Sequence, residues 1–499
     1  MPSARVTAFV LAIVIPGLGT CKEAPAPAGP EDAAADGPSP GTTRGVHYVV
    51  TPQASLERLD VRVCFDGPAP RWLVPGLRET AAYAHDVRTV EGTPLPQRGR
   101  ARALEGLGED GCVDYWVDLA GIEDGAGGGR LAGRTGESTM VRPRAWMWQP
   151  DDLSDETAVT VRFELPPGMG ASVPWPPVDQ APGRYGLDPT AFRWLAYTVL
   201  GSITIDRFTR AGATVELVTL DAELLATPAG LRRWAEDAVD TVALLFDGRF
   251  PRERLQLVVL PVQRGSGPVL FGMAGRGGGA GVYVFMSAEA TDEELPGGWT
   301  TVHELLHHGM PFIDEAWMAE GWVSYYTELM RTRVGHRSEQ SGWETLAAGF
   351  ERGRERGADT TLREASDAMH ETHLYQRVYW GGAAVALLVD VRMRVESGGA
   401  RGLDDAMKEL RRCCGDAQHQ WAAADLLARL DAWYGRPLFT ETAEAVLAHE
   451  GLPDVNAALA ELGVHVEGER VRLDDRAEHA ALRRAIMAPR QPDADADAR

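Results

Sequence analysis

From about His47 to Glu164 apolar and polar residues alternate in short runs, HYVV, LDVRVCF, CVDYWVDL and AVTVRFEL, broken by Gly and Pro clusters. A period of two with that punctuation predicts half-buried strands, and several in succession predict a β-sandwich-like unit. Between Arg184 and Val262 the strand-like ATVELVTL and RLQLVVLPV flank an amphipathic helix, GLRRWAEDAVDTVALLF. A glycine-rich segment, FGMAGRGGGAG, expected to form a flexible turn, then leads into the apolar strand VYVFM. From Trp299 to about Met487 the period lengthens to that of helices. The expected fold class is α+β. It divides into a β-rich domain over 46–183, a mixed domain over 184–410, a helical region over 411–488, and a tail over 489–499 too polar to fold.

Residues 1–21 carry an early cation at Arg5, an apolar run from Val6 to Ile15, and then small residues. That run is too short for a membrane span and reads as an export signal. Its ending, Leu18-Gly19-Thr20-Cys21, resembles a bacterial lipobox, which implies a lipid on Cys21 and anchoring of an exported chain; a plain secretory signal is the alternative. Residues 22–45, rich in Ala, Pro, Gly and acidic side chains, read as a tether. Of the five cysteines, four follow Cys21. Cys64 and Cys112 sit in strand-like segments and Cys413 adjoins Cys414; three pairings are open, and none of the spacings suits a zinc-thiolate site.

Fifty Lys and Arg against 72 Asp and Glu give a net charge of −22 with no compensating basic cluster, so nucleic acid is excluded as a partner. The chemistry lies instead in residues 303–307, His-Glu-Leu-Leu-His. Positions four apart share a helix face, so His303 and His307 can bind one metal ion, with Glu304 beside them to deprotonate a water. Gly297-Gly298 precede the predicted helix, Thr300 or Thr301 offers a cap, Val302, Leu305 and Leu306 supply an apolar face, and Gly309 and Pro311 end it. With 12 histidines in 499 residues, chance placement gives the motif on the order of 0.02 times per chain. A catalytic zinc needs three protein ligands and an open position. A second helix, DEAWMAEGWVSYYTELMRTRV, starts near Asp314 and presents Glu320 as the third ligand; His308 is a weaker candidate, turned about 100° from His307.

HELLH followed by WMAEG resembles the gluzincin metallopeptidases, and within them the glycyl aminopeptidase family. The likeness extends over about 184–464 through AVDTVALLFDGRFPRERLQLVVLP, VYWGGAAVALLVDVRMRVESGGARGLDDAMKEL and LLARLDAWYGRPLFTETAEAVLAHEGLP. It implies a thermolysin-like catalytic domain with a mainly helical C-terminal part, and Zn2+ held by His303, His307 and Glu320. It further implies Glu304 as general base acting on a metal-activated water and Tyr379 as oxyanion donor, with Tyr375, one turn earlier, as the alternative. Only twelve residues separate His307 from Glu320, fewer than is usual in the family. Where the family has a Glu that binds the substrate's free amine, this chain has Ala274 in Gly272-Met273-Ala274-Gly275. No C-terminal PDZ module of the kind many relatives carry is expected.

The reading is therefore an exported zinc peptidase acting on peptides or proteins, as aminopeptidase or endopeptidase, with the oligomeric state left open. The alternatives are a catalytically degenerate relative that binds peptides or surface partners, and a purely structural zinc.

Overall fold

The computed structural model describes residues 45–489, apart from 126–128, 130, 179–182, 190–191, 193–195, 264–266, 277–278, 417–418 and 469. The expected signal, Cys21, the tether over 22–44 and the tail over 490–499 lie outside the described residues, while Gly45, expected to end the tether, opens the strand Gly45–Pro52 instead.

The N-terminal alternating runs form a six-stranded sheet in the order Arg184–Leu187, Ala158–Phe163, Gly45–Pro52, Arg58–Asp66, Cys112–Asp118, Ala84–Thr89. Gly45–Pro52 runs parallel to Ala158–Phe163, and the other pairs are antiparallel. Two four-stranded sheets share its apolar core, which takes Tyr48, Val61 and Val63 from the large sheet, Leu73 from one small sheet and Val141 and Leu200 from the other. Cys64 faces Cys112 across two paired strands and is bonded to it, and Cys413 is bonded to Cys414.

The boundary expected at 183/184 is displaced. Arg184–Leu187 pairs with Ala158–Phe163, and Thr198–Gly201 pairs with Ser138–Val141, so the β-rich unit runs on to about 201. Tyr185 and Leu187 bury alternate positions against the N-terminal core, which a local reading of the sequence cannot assign to a sheet.

A five-stranded sheet follows, ordered Ile203–Arg210, Ala213–Leu220, Arg254–Val262, Ala280–Ser287, Val269–Gly275. Its two central strands are buried almost throughout, as their unbroken apolar runs require. Val269–Gly275, the edge strand, corrects the expectation of a flexible turn: the first half of the glycine-rich segment pairs with Ala280–Ser287. The helix Pro228–Ala243 packs on this sheet, capped by Thr227, whose side chain accepts from the Gly230 amide. The remainder is mostly helical. Three helices shape the site: the motif helix Trp299–His307, the carboxylate helix Ala316–Arg333 and the tyrosine helix Tyr375–Glu396. Among the described residues no helix is long and apolar enough to cross a membrane.

Candidate metal centre

The motif helix starts at Trp299 with Gly298 as its N-cap and no capping side chain. The expected cap by Thr300 or Thr301 is not made, because both residues already lie within the first turn. At the other end the buried guanidinium of Arg276 donates to the carbonyls of His307, Met310 and Pro311, placing a cation at the helix's negative end.

The carboxylate helix reaches the motif helix because it also crosses the tyrosine helix at glycines. A Cβ on Gly321 would fall 2.3 Å from the Gly382 Cα, and one on Gly382 would fall 1.7 Å from the Trp317 carbonyl oxygen. That contact sets Glu320, one residue before Gly321, facing the two histidines.

His303 Nε2 lies 3.1 Å from Glu320 Oε2 and 3.3 Å from His307 Nε2, and His307 Nε2 lies 3.4 Å from Glu320 Oε2. Zinc bonds of about 2.0–2.1 Å in tetrahedral geometry separate ligand atoms by about 3.3–3.4 Å. The observed triangle is therefore one face of such a tetrahedron, which leaves a corner for a non-protein ligand. The Thr327 hydroxyl donates to the Val323 carbonyl at 2.7 Å and so can only accept from His303 Nδ1, 3.4 Å away. With its proton on Nδ1, the neutral His303 ring turns a lone pair toward its neighbours. Burial pushes His303 down to about 4, with Glu320 opposing. Burial would raise Glu320, but His307 and His303 outweigh it and hold the carboxyl well below its usual range. An ionised carboxylate and the His303 lone pair thus converge with His307, whose pKa burial would lower but Glu320 and Glu304 raise, and a cation in place of the His307 proton is what such a donor set fits.

Glu304 lies alongside, partly buried, its pKa pushed up to about 7 by burial against the attraction of His307. Its carboxylate accepts from the Ala274 amide of the edge strand. The strand can approach because position 272 is glycine: a Cβ there would sit 2.6 Å from the Glu304 Cγ and 2.8 Å from the Thr300 Cγ2. Tyr379 stacks on His303, ring centroids 5.8 Å apart and planes within 8°. Its hydroxyl is bonded to Glu320, and burial together with the Glu320 and Glu304 charges keeps the phenol protonated well above its usual range. Tyr375 stands farther out, its ring 5.9 Å from His370 and 6.0 Å from His373. His308 is not part of the triangle: its Nε2 lies 3.1 Å from the Gly281 carbonyl, in the sheet.

Sequence reasoning missed the supports of this centre. The Trp299 indole stacks on His303, centroids 4.3 Å apart, and bonds to the carboxylate of Glu328, which is buried beside Arg331. The spacings were available: Trp299 is four residues before His303, and Thr327 is seven after Glu320, two turns along one face.

No family model and no curated sequence matches this chain. Solved structures do. The chain is similar to an aminopeptidase N family protein of Idiomarina loihiensis, with 17% identity over 85% of this chain and 79% of that one and a TM-score of 0.63. It is also similar to an M1 zinc metallopeptidase of Deinococcus radiodurans, with 13% identity over 83% and 95% of the two chains and a TM-score of 0.52. A two-domain M1 zinc metallopeptidase bound to L-arginine gives a TM-score of 0.53 at 13% identity, over 83% of this chain and 95% of that one. At these identities the likeness shows the mixed α/β fold that M1 zinc metallopeptidases share.

Proposed function

We propose that this chain is a zinc-dependent peptidase, with His303, His307 and Glu320 as the protein ligands of the metal. The observation that carries the reading is the triangle of donor atoms, sized for one face of a tetrahedral zinc site and placed beside the half-buried Glu304. Zinc bound there supplies Lewis-acid polarisation of a carbonyl and a lowered pKa for the attacking water. Glu304, anchored by the Ala274 amide, takes the proton of that water and passes it to the leaving amine; a carboxyl poised near neutrality suits both transfers. Tyr379, held protonated, exchanges its bond to Glu320 for one to the oxyanion of the substrate carbonyl, a donor worth roughly 2.7–4 kcal/mol if it resembles other oxyanion-hole groups.

A peptide substrate accords with a fold neighbour, a Deinococcus radiodurans M1 zinc metallopeptidase variant described as bound to Tyr-Ser-Ala. The alanine side chain at position 274 offers a free N-terminus no counter-charge of its own, and two residues on stands the buried cation Arg276. The reaction is therefore assigned to peptide bonds without requiring a free amine. The same alanine favours the second reading, a peptide binder without turnover. The two disulfides support placement of the chain in an oxidising compartment outside the cytoplasm, and anchoring through a lipidated Cys21 is proposed with it.

The test combines zinc analysis with digestion of a peptide library bearing free or acetylated N-termini, using wild type and Glu304→Gln. Zinc near one equivalent in both proteins is expected, with cleavage by wild type only and a loss of at least about 1,000-fold in the variant. Unchanged hydrolysis by Glu304→Gln would refute the mechanism, and zinc-loaded wild type that cleaves nothing would leave the binding reading.

A further inference from the structure

Several buried polar atoms near the metal centre lack a partner among the described residues, Thr301 Oγ1, Trp322 Nε1 and Ser324 Oγ among them, and in one side chain both polar atoms do. The short helix Met369–Thr372 carries His370, whose two ring nitrogens are both enclosed and have no hydrogen-bond partner among the described residues. Enclosed ring nitrogens are normally paired, since burying an unmatched polar group is costly. The His370 ring centroid lies 5.9 Å from that of Tyr375, one turn before Tyr379 on the tyrosine helix, and Tyr379 stacks on His303. Two ring pairs, His370 with Tyr375 and Tyr379 with His303, thus lie one helical turn apart on the tyrosine helix. His370 also lies within the electrostatic reach of Glu320; burial lowers its pKa, Glu320 opposes that and His373 adds to it, so the ring at neutral pH has one N–H and one lone pair. The chain beside it is strained: His373 ends the short helix in the left-handed region at φ 58°. Strain of this kind in a residue with a side chain persists where the surroundings impose it, often at binding sites.

We propose that His370 is a substrate-binding residue whose ring turns on binding, so that its N–H, enclosed in the free chain, donates to a main-chain carbonyl of the bound peptide next to the scissile bond. The inference rests on the peptidase reading and deepens it, by naming a residue that recognises the peptide backbone rather than a side chain or a terminal charge. Such a contact is the partner His370 lacks, and it would hold the chain along the face lined by Tyr375 and Tyr379.

The experiment compares zinc-loaded wild type with His370→Ala, His370→Phe and His370→Gln. Each is measured for affinity toward an N-acetylated phosphinic tripeptide, and for kcat and KM on the library peptide that wild type cleaves fastest. His370→Ala and His370→Phe are expected to bind the phosphinic peptide about 10-fold more weakly, the scale of one lost hydrogen bond in a site closed to water, and to raise KM. His370→Gln, which keeps an N–H, is expected to recover most of that loss. Zinc stoichiometry and melting temperature should stay at wild-type values in all three. Equal affinity across the four proteins would overturn the proposal, as would failure of wild type to bind the peptide. Rescue by phenylalanine instead of glutamine would assign His370 to packing and overturn it too. Wild type that binds zinc and the phosphinic peptide with this His370 dependence but hydrolyses nothing would defeat the peptidase reading alone.

Discussion

At the scale of single residues the site depends on close approaches that only small groups permit. Glu304, on the motif helix, faces the edge strand, and Gly272 is a position where the strand comes close to it. A methyl group there would meet the Glu304 Cγ at 2.6 Å and the Thr300 Cγ2 at 2.8 Å, both tighter than carbon contacts allow. Helix backbone cannot yield easily, so the Glu304 side chain moves. Because misplacing a catalytic group by about 1 Å can cost about 100-fold in rate, Gly272→Ala is expected to lower kcat by about that factor. Zinc content should remain at one equivalent, since none of the three donors touches Gly272. Parallel loss of zinc and activity would show that the strand supports the ligands rather than the base.

Among elements, the decisive contact is the crossing of the carboxylate and tyrosine helices at Gly321 and Gly382. These helices carry Glu320 and Tyr379, and their glycines bring backbone against backbone. Gly382→Ala would push its methyl into the Trp317 carbonyl, whose atoms cannot rotate away. Overpacking of this kind typically costs about 1–3 kcal/mol. The separation also draws Glu320 away from the imidazoles, so zinc affinity should fall at least about 10-fold. A competition titration with a chelator reads the second effect, and a denaturation midpoint reads the first. Retained zinc affinity in a destabilised variant would mean that Glu320 is placed by something other than this crossing.

The same crossing shows what the sequence could and could not reveal. The His303 and His307 spacing is local, and four residues of helix put both side chains on one face whatever the rest of the chain does. The Glu320 carboxylate was legible because it follows in the next helix within a distinctive WMAEG segment. The edge strand was not, since Val269–Gly275 has the composition of a turn and becomes a strand only by pairing with Ala280–Ser287 and lying over Glu304. For the same reason Arg184–Leu187 was placed in the wrong unit: its partner, Ala158–Phe163, lies beyond any window of periodicity. Both misjudgements concern strands, whose partners are set by tertiary structure, whereas the helical half declares itself through its own period.

Across the whole molecule, the helical half is tied together by charges buried far from the metal centre. Tyr325 and Tyr326 of the carboxylate helix donate at 2.9 Å to Asp390 and Asp404. Asp390 also accepts from the Arg394 guanidinium and the Leu403 amide. Arg333, fully buried at the end of the carboxylate helix, donates to Asp404 at 3.1 Å and to the Ile486 carbonyl at 2.8 Å. One guanidinium thus joins the helix that bears Glu320 to the helices Leu403–Cys414 and Ala480–Met487. Burial lowers the Arg333 pKa but Asp404 more than restores it, so the pair is charged on both sides. Replacing a matched buried pair by apolar groups can be neutral, whereas removing one partner leaves an unmatched charge and costs about 3–5 kcal/mol. Asp404→Ala should accordingly lower the denaturation midpoint sharply, and Asp404→Ala with Arg333→Met should be more stable than Asp404→Ala alone. If the double variant is the less stable of the two, the contacts of Arg333 with Ile486 and its own helix outweigh its charge pair, and the helical half is held by packing rather than by this network.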